Sequence, residues 1–175
     1  MSKLCVLLVG NIGSGKSTFA KALFDMDYIT ISRDRIRYAI GGGNYLFKPD
    51  LEPVVHKITT NMFKEFLLLG KNIVIDETNV ISKSRADYIA TAHNYGYEVM
   101  AISMPKFSKA ESIKRRMSDN HGTQNAEVWE SVWDRFNTRY QAPALKEGFD
   151  YLIQLENDYP TSQVWRLIGA AVNGS

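Results

Sequence analysis

The sequence predicts an α/β fold with a five-stranded parallel sheet, because short apolar runs alternate with segments of helical length. The five predicted strands are Leu4–Val9, Tyr28–Ile31, Ile73–Ile75, Glu98–Ser103 and Tyr151–Leu155. A glycine-rich loop between the first strand and a helical pattern is a second observation that favours such a sheet. With 175 residues, 45% of them hydrophobic, and no linker-like tract, we expect one globular domain over residues 1–175.

Capping signals place the helices between these strands. The longest helix is expected to begin with Pro53 in its first turn and to stop at Gly70. Ser82 or Ser84 can cap the next helix, which is expected to end near Asn94 to Gly96. A capping box of Ser108 and Glu111 precedes a helix over Lys109–Met117, and Asn125 precedes one over Ala126–Tyr140. A last helix is expected over Ser162–Val172. The apolar stripe of the longest helix is expected to pack on the sheet.

Composition argues against several classes of protein. A net charge of +2 is too small for a broad electrostatic footprint on long nucleic acid. No apolar run approaches the roughly 20 residues that a membrane helix needs, so we expect a cytoplasmic protein without a membrane partner. Cys5 is the only cysteine and is expected to be a buried strand residue, and the three histidines lack the spacing of zinc ligands.

The loop after the first strand matches the phosphate-binding P-loop pattern G-x-x-x-x-G-K-[ST]. Its glycines allow the backbone N–H groups to turn inward around a phosphate chain, and the next helix adds the positive end of its dipole. Lys16 would bind the β- and γ-phosphates, and the Ser17 hydroxyl would bind Mg²⁺. The predicted nucleotide-binding residues are Gly10, Asn11, Ile12, Gly13, Ser14, Gly15, Lys16, Ser17 and Thr18.

Polar residues also follow the second and third predicted strands, at the edge where ligands bind in open α/β sheets. Asp34 begins a predicted short helix, and Arg37 lies three residues later on the same face. Asp34 could accept the proton of an attacking hydroxyl while Arg37 holds an anionic group of the acceptor. Alternatively, Asp34 is a helix cap and Arg37 its surface partner.

Asp76 directly follows the third predicted strand, in the position where P-loop enzymes carry a carboxylate that holds Mg²⁺. An aspartate at this place can also be a turn residue. Glu77, Thr78 and Asn79 follow directly and could orient the acceptor, with loop capping as the alternative.

Two further features could serve the same site. Arg115 and Arg116 end a helix in a predicted lid over residues 109–126, where a cation could stabilise the charge on a transferred phosphoryl group. Cations are also common at helix C-termini for structural reasons. Trp129, Trp133, Phe136 and Tyr140 form one helical stripe, which predicts a packing face or, alternatively, a surface for base stacking.

The order of these motifs resembles the P-loop kinase family that contains the phage-type polynucleotide 5′-hydroxyl kinases. The resemblance covers nearly the whole chain and rests on GNIGSGKST at 10–18, SRDRIR at 32–37, DETN at 76–79, Arg115-Arg116, and the segment from Tyr140 to Asp150. It implies a P-loop kinase fold with a small helical lid. It also implies transfer of the γ-phosphoryl group from ATP, with Mg²⁺, to the 5′-OH end of DNA or RNA.

By this resemblance, Lys16 and Ser17 bind the phosphates and Mg²⁺, Asp34 is the general base, and Arg37 contacts the acceptor's neighbouring phosphate. Thr78 and Asn79 match the family's D-T-N element, but Glu77 precedes them and Asp76 comes one position earlier. The lid also departs from the pattern, because residues 118–122 lack a second arginine. The length of the chain predicts a stand-alone kinase. Alternatives are a same-fold kinase of a nucleoside, sugar or antibiotic, and a nucleotide-binding switch without phosphotransfer.

Overall fold

A computed structural model of the protein describes residues 3–118 and 125–173. Its strands are β1 (Leu4–Val9), β2 (Ile29–Ile31), β3 (Ile73–Ile75), β4 (Glu98–Ser103) and β5 (Tyr151–Gln154). The α-helices in these residues are α1 (Lys16–Phe24), α2 (Arg33–Ile40), α3 (Glu52–Leu68), α4 (Ser82–Asn94), α5 (Lys109–Ser118), α6 (Ala126–Arg139) and α7 (Val164–Asn173). The described helices include none that is long and apolar enough to cross a membrane.

The five strands form one parallel sheet in the order β2-β3-β1-β4-β5, so the predicted fold class is confirmed. The register places Ile31, Ile75 and Leu7 side by side across the first three strands of that order. The loops after β1, β2 and β3 therefore leave the same edge of the sheet next to one another. This arrangement brings the three motifs predicted from the sequence into one place.

Apolar side chains cover both faces of the sheet. One cluster joins the sheet to α1 and α7 through residues such as Leu23 and Val164, and the other joins it to α3 and α4 through residues such as Phe63 and Ile89. Cys5 is fully buried in the second cluster, and burial raises the pKa of its thiol. The prediction that Cys5 is a buried strand residue is confirmed.

Most predicted boundaries agree with the structure within two residues. The second strand begins one residue later than predicted, because the Tyr28 N–H donates to the Leu23 carbonyl and closes α1 instead. The last helix is preceded by a 3-10 turn over Thr161–Gln163. Asn125 caps α6 as predicted, since its side-chain oxygen accepts a hydrogen bond from the Val128 N–H at 3.1 Å.

A buried arginine fixes the loop after β3. The Arg85 side chain is fully buried and forms a two-point ion pair with Glu147, with N–O distances of 2.8 and 2.7 Å. The same guanidinium donates to the carbonyls of Asn79 at 2.8 Å and Gln141 at 3.0 Å. Arg85 thereby joins the DETN loop to the segment before β5.

Replacing Glu147 with Ala should strongly destabilise the protein, because it leaves the charge of Arg85 buried and unpaired. We expect the free energy of unfolding to fall by about 3–5 kcal/mol, measured by urea denaturation. Glu130→Ala is a matched control, since Glu130 pairs with Lys109 at the surface and its loss should cost less than about 1 kcal/mol. Equal stability losses in the two variants would contradict a structural role for the buried pair.

Candidate active site

The P-loop has the backbone shape that its sequence predicts. Gly13 and Gly15 adopt φ angles of 69° and 89°, in the left-handed region that favours glycine. The Lys16 Nζ donates to the Asn11 carbonyl at 2.6 Å and to the Ser14 hydroxyl at 3.3 Å, which holds the ammonium group against the loop. Burial lowers the pKa of Lys16 to about 8, with Asp76 opposing the shift. An anion in the loop would relieve this desolvated charge.

The loop also packs directly on α5 and α6. Ile12 is buried in a cluster with Ile113 of α5 and Trp129 of α6. The Asn11 side-chain amide donates to the Trp133 carbonyl at 3.0 Å. At Gly13 an added Cβ would lie 2.3 Å from the Ser112 carbonyl oxygen, so the loop and α5 are in backbone contact there. The first part of the predicted lid therefore touches the P-loop, whereas residues 119–124 lie outside the described part of the chain.

Ser17 and Asp76 lie together at the start of α1 and the end of β3. The Ser17 hydroxyl hydrogen-bonds the Asp76 carboxylate, which is buried. Burial raises the pKa of Asp76, although Lys16 and Ser17 oppose the shift. No cluster of three or more acidic, histidine or cysteine side chains that could hold a metal occurs in residues 3–118 and 125–173. A cation at this place would need further oxygen ligands from its substrate, as Mg²⁺ commonly does.

A cavity of about 770 Å³ opens between the P-loop, α2 and α6. It brings together the predicted residues Lys16, Ser17, Asp34, Arg37, Asp76, Glu77, Thr78 and Arg116. Several residues that the sequence analysis did not single out for function also line it, namely Arg33, Tyr45, Phe47, Val132 and Arg135. This volume lies in the usual range for small-ligand sites.

Asp34 lies in the first turn of α2 and faces two arginines. Its Oδ1 is 2.6 Å from Arg37 Nη1 and 3.1 Å from the Tyr45 hydroxyl, and its Oδ2 is 3.6 Å from Arg116 Nη2. Burial alone would raise the pKa of Asp34, but the charges of Arg116 and Arg37 and these hydrogen bonds hold that pKa below its usual range. Ser32 occupies the N-cap position of α2, so the alternative of Asp34 as the cap is wrong.

Arg37 is buried, and two carboxylates hold its guanidinium. Besides Asp34, it contacts Glu52 at the start of α3, with N–O distances of 2.9 and 2.6 Å. The guanidinium carbon lies 6.0 Å from the Tyr45 ring centroid and 5.6 Å from that of Phe47. The alternative of Arg37 as a mere surface partner is therefore wrong.

The DETN residues divide into two groups. The buried Glu77 carboxylate is ion-paired with the Arg33 guanidinium and accepts a hydrogen bond from the Arg33 N–H at 3.2 Å. Asn79, at φ 47°, donates to the Leu8 carbonyl at 2.9 Å and is not among the residues that line the cavity. The Thr78 carbonyl accepts from the Gly10 N–H at 2.9 Å. The loop thus anchors the P-loop, and an acceptor-binding role for Glu77, Thr78 and Asn79 stays a prediction.

Arg115 and Arg116 point to different places. Arg116 lines the large cavity, with its guanidinium carbon 4.3 Å from the Trp129 ring centroid. Its Nε is buried and has no hydrogen-bond partner among the described residues. Arg115 pairs with Asp158 at 3.0 and 2.9 Å and with Glu111 at 2.8 Å, and it stacks on Phe107.

Arg115 borders a second cavity, of about 260 Å³, which also reaches the P-loop. The other residues that line it are Gly15, Thr18, Phe19, Met104, Pro105, Asp158, Tyr159 and Thr161. Gly15 and Thr18 also line the large cavity, so the two spaces meet at the P-loop. A phosphate chain bound in the loop would therefore lie where the two cavities meet.

The aromatic stripe of α6 has two roles in this arrangement. Trp129 is buried against Ile12 and Ile113, with Trp133 and Phe136 packed beside it, so the predicted packing face is confirmed for these three rings. Tyr140 follows the helix and instead contacts the Ser103 hydroxyl at 3.1 Å. Trp129 and Phe136 also line the large cavity.

The pKa of Lys16 predicts how phosphate binding depends on pH. Phosphate binds the protonated amine, so above about pH 8 binding must be accompanied by proton uptake. Below this pH the Lys16 amine is already protonated, so we expect its titration to leave the Kd for ADP unchanged; above this pH the Kd should rise by up to about tenfold per pH unit. Calorimetry in two buffers of different ionisation enthalpy should detect this proton uptake.

Lys16→Met is the control for this titration. The variant should bind ADP more weakly at all pH values and show no additional loss of affinity above pH 8. A wild-type affinity that stays constant across this range, or an equal pH dependence in the variant, would contradict the assignment to Lys16.

Comparison with known proteins places this site in a family. A family model described as "AAA domain" matches residues 5–143. A proposed bifunctional polynucleotide kinase/RNA ligase of Autographa californica nuclear polyhedrosis virus is 28% identical, and the match covers 77% of this chain and 23% of that protein. This chain thus spans about a quarter of the length of that curated relative.

Solved structures show the same fold. A chain of a Pnkp1/Rnl/Hen1 complex is 28% identical with a TM-score of 0.57, and the match covers 71% of this chain and 41% of that one. A fungal RNA kinase is 20% identical with a TM-score of 0.64, covering 95% and 83%. The APS kinase CysC of Mycobacterium tuberculosis, solved in complex with AMPPNP and APS, is 14% identical with a TM-score of 0.62, and the match covers 96% of each chain. The P-loop kinase fold predicted from the sequence is confirmed, and the family model that matches residues 5–143 shows that the chain belongs to the AAA domain family.

Proposed function

We propose that the protein is an ATP-dependent kinase that transfers the γ-phosphoryl group to the 5′-hydroxyl end of DNA or RNA. The observation that carries this proposal is the position of Asp34. Asp34 lines the same cavity as Lys16 and Asp76, while a second cavity, which Asp34 does not line, meets the first at Gly15 and Thr18. The acceptor hydroxyl and the leaving ADP could therefore lie on opposite sides of the γ-phosphate, as an in-line displacement requires.

The donor triphosphate would lie in the P-loop. Backbone N–H groups of residues 10–18 and the Lys16 ammonium would bind its phosphates, with Lys16 leaving the Asn11 carbonyl. The nucleoside would occupy the second cavity, beside the Arg115 and Phe107 pair. ATP is the proposed donor because the motif and the matched kinases favour it, including one solved with the ATP analogue AMPPNP.

The neighbouring oxygens of Ser17 and Asp76 fit a Mg²⁺ ion that travels with the triphosphate. The ion would neutralise part of the charge that develops on the phosphate oxygens. Binding a cation would also stabilise the ionised form of Asp76, which burial disfavours.

Asp34 would act as the general base. As the bond from the acceptor oxygen to the γ-phosphorus forms and the bond to the β-phosphate oxygen breaks, the hydroxyl proton passes to Asp34 and ADP leaves. The low pKa of Asp34 keeps it ionised at neutral pH. Arg116, 3.6 Å from Asp34 and with a buried Nε that lacks a partner in the described residues, would stabilise the negative charge of the transferred group.

The 5′-hydroxyl acceptor is favoured by the arginines beside Asp34 and by the relatives. Arg37 is held by Glu52 in an orientation that lines the acceptor side of the cavity, where a phosphate that neighbours the reacting hydroxyl could bind. Two relatives are 28% identical to this chain: one is a protein named for polynucleotide kinase activity, and the other is a chain of a Pnkp1/Rnl/Hen1 complex. The matches cover 23% of the first protein and 41% of the second chain, so the names of these proteins support the proposal only in part.

Replacing Asp34 with Asn should separate general-base catalysis from structure. Asn keeps the size of the side chain and an oxygen for Arg37 and Tyr45, but it cannot take the hydroxyl proton. We expect kcat for a 5′-OH oligonucleotide to fall by roughly 10²- to 10⁴-fold, with ADP affinity nearly unchanged. The measurement is radiolabel transfer from γ-labelled ATP to the oligonucleotide.

The control for this variant is Asp25→Asn, which makes the same chemical change at the exposed end of α1 and should retain wild-type activity. Asp25→Asn should melt like the wild type, whereas Asp34→Asn should remain folded with a somewhat lower melting temperature, because it loses its ion pairs with Arg37 and Arg116. An Asp34→Asn protein that is stable, binds ADP and keeps a tenth or more of the normal kcat would rule out the general-base role.

A further inference from the structure

The large cavity has an apolar part that phosphate chemistry does not use. Phe47 from the loop between α2 and α3 is 51% exposed, and Val128 at the start of α6 is 42% exposed. Val132 and Phe136 extend the α6 side of this surface, and all four side chains line the cavity. Apolar groups left open to solvent beside a charged site commonly mark a binding surface.

The position of this surface assigns it to the acceptor. It shares the large cavity with Asp34 and Arg37, whereas the second cavity, beside Arg115, has none of these side chains. If the donor nucleoside lies in the second cavity, the apolar part of the large cavity is available to the group that carries the hydroxyl.

The Phe47 and Phe136 rings each lie next to an arginine guanidinium. The Arg37 guanidinium carbon is 5.6 Å from the Phe47 ring centroid, and that of Arg135 is 5.2 Å from the Phe136 ring centroid. Each pair offers a flat π surface next to a positive charge. A nucleotide matches this combination, because its aromatic base stacks on aromatic rings and its phosphate pairs with arginine, whereas a free sugar has neither an aromatic ring nor a phosphate.

We infer that Phe47 and Phe136 form a stacking site for the base of the acceptor's 5′-terminal nucleotide. This inference rests on the proposed function and specifies how the end of the strand is recognised. The described side chains that form the apolar surface are hydrocarbon groups, so recognition should depend on the flat face of the base and tolerate all four bases. Phe47 and Phe136 are thus specificity-determining residues for this reaction.

The test compares two 5′-OH oligonucleotides that differ only in the first residue, one with a normal base and one with a tetrahydrofuran abasic residue. We expect the wild type to show a KM roughly 5- to 150-fold higher for the abasic acceptor, with a similar kcat, because stacking contributes equally before and during transfer. Phe47→Ala and Phe136→Ala should raise KM for the normal acceptor and leave KM for the abasic acceptor nearly unchanged.

The controls separate this effect from folding and from donor binding. Phe47 is half exposed, so its truncation should leave thermal melting unchanged even if Phe136→Ala is destabilising. Phe24→Ala removes a 63% exposed ring on α1, outside both cavities, and should retain the wild-type preference. Phe136→Tyr keeps an aromatic ring at this position, so its KM for the normal acceptor should be close to that of the wild type.

Three results would overturn the inference while leaving the kinase proposal in place. They are equal KM values for the two acceptors with the wild type, equal loss on both acceptors with Phe47→Ala, and a rise in the KM for ATP instead of the acceptor. If neither oligonucleotide is phosphorylated by the wild type, the proposed function and the stacking site both fail.

Discussion

The side-by-side pairing of β1, β2 and β3 is the constraint on which the site depends. Because these strands are parallel, their loops leave one edge of the sheet, and short hydrogen bonds then join the loops to each other. The Gly10 N–H binds the Thr78 carbonyl at 2.9 Å, and the Asn79 amide binds the Leu8 carbonyl at 2.9 Å. Arg85 fixes the far end of the same loop from within the core. Lys16, Asp76 and Asp34 reach one cavity as a result.

Paired charges define the interior of this cavity. Lys16 lies near Asp76, Asp34 lies between Arg37 and Arg116, and Glu52 holds Arg37 from the other side. Removing charges from water is costly, so each buried ion needs such a partner. A bound triphosphate would add strong negative charge near Lys16 and Arg116 and would compete with Asp34 for the arginine. Substrate binding and the availability of the proposed base are therefore electrostatically linked.

Local sequence patterns predicted the parts of the site that depend on local geometry. The P-loop, the helix that begins beside Asp34, and the Asn125 cap follow from glycine positions and spacing within a few residues, and the structure agrees. The partners of the charged residues could not be predicted in this way. Glu52, Asp158 and Glu147 lie 15, 43 and 62 residues from the arginines that they bind. Only the fold brings these pairs together.

Tyr45 and Phe47 were missed for a related reason. They lie in the segment that joins α2 to α3, where the glycines at 41–43 break any helical or strand periodicity. Their position over Arg37 depends on where α3 begins. In contrast, the α6 rings recur with helical spacing, so packing was predicted, and the cavity beside them was not.

The central claim concerns what the protein phosphorylates, and a screen of acceptors tests it most directly. The measurement is ADP release by the wild-type protein with ATP and Mg²⁺, using 5′-OH oligonucleotides of DNA and RNA, nucleosides, sugars and aminoglycosides as acceptors, with transfer confirmed by mass. The account predicts that a 5′-OH oligonucleotide stimulates ADP release and gains one phosphate at its 5′ end. Release that is stimulated only by a small molecule, or tight ADP binding with no acceptor-dependent release, would contradict it.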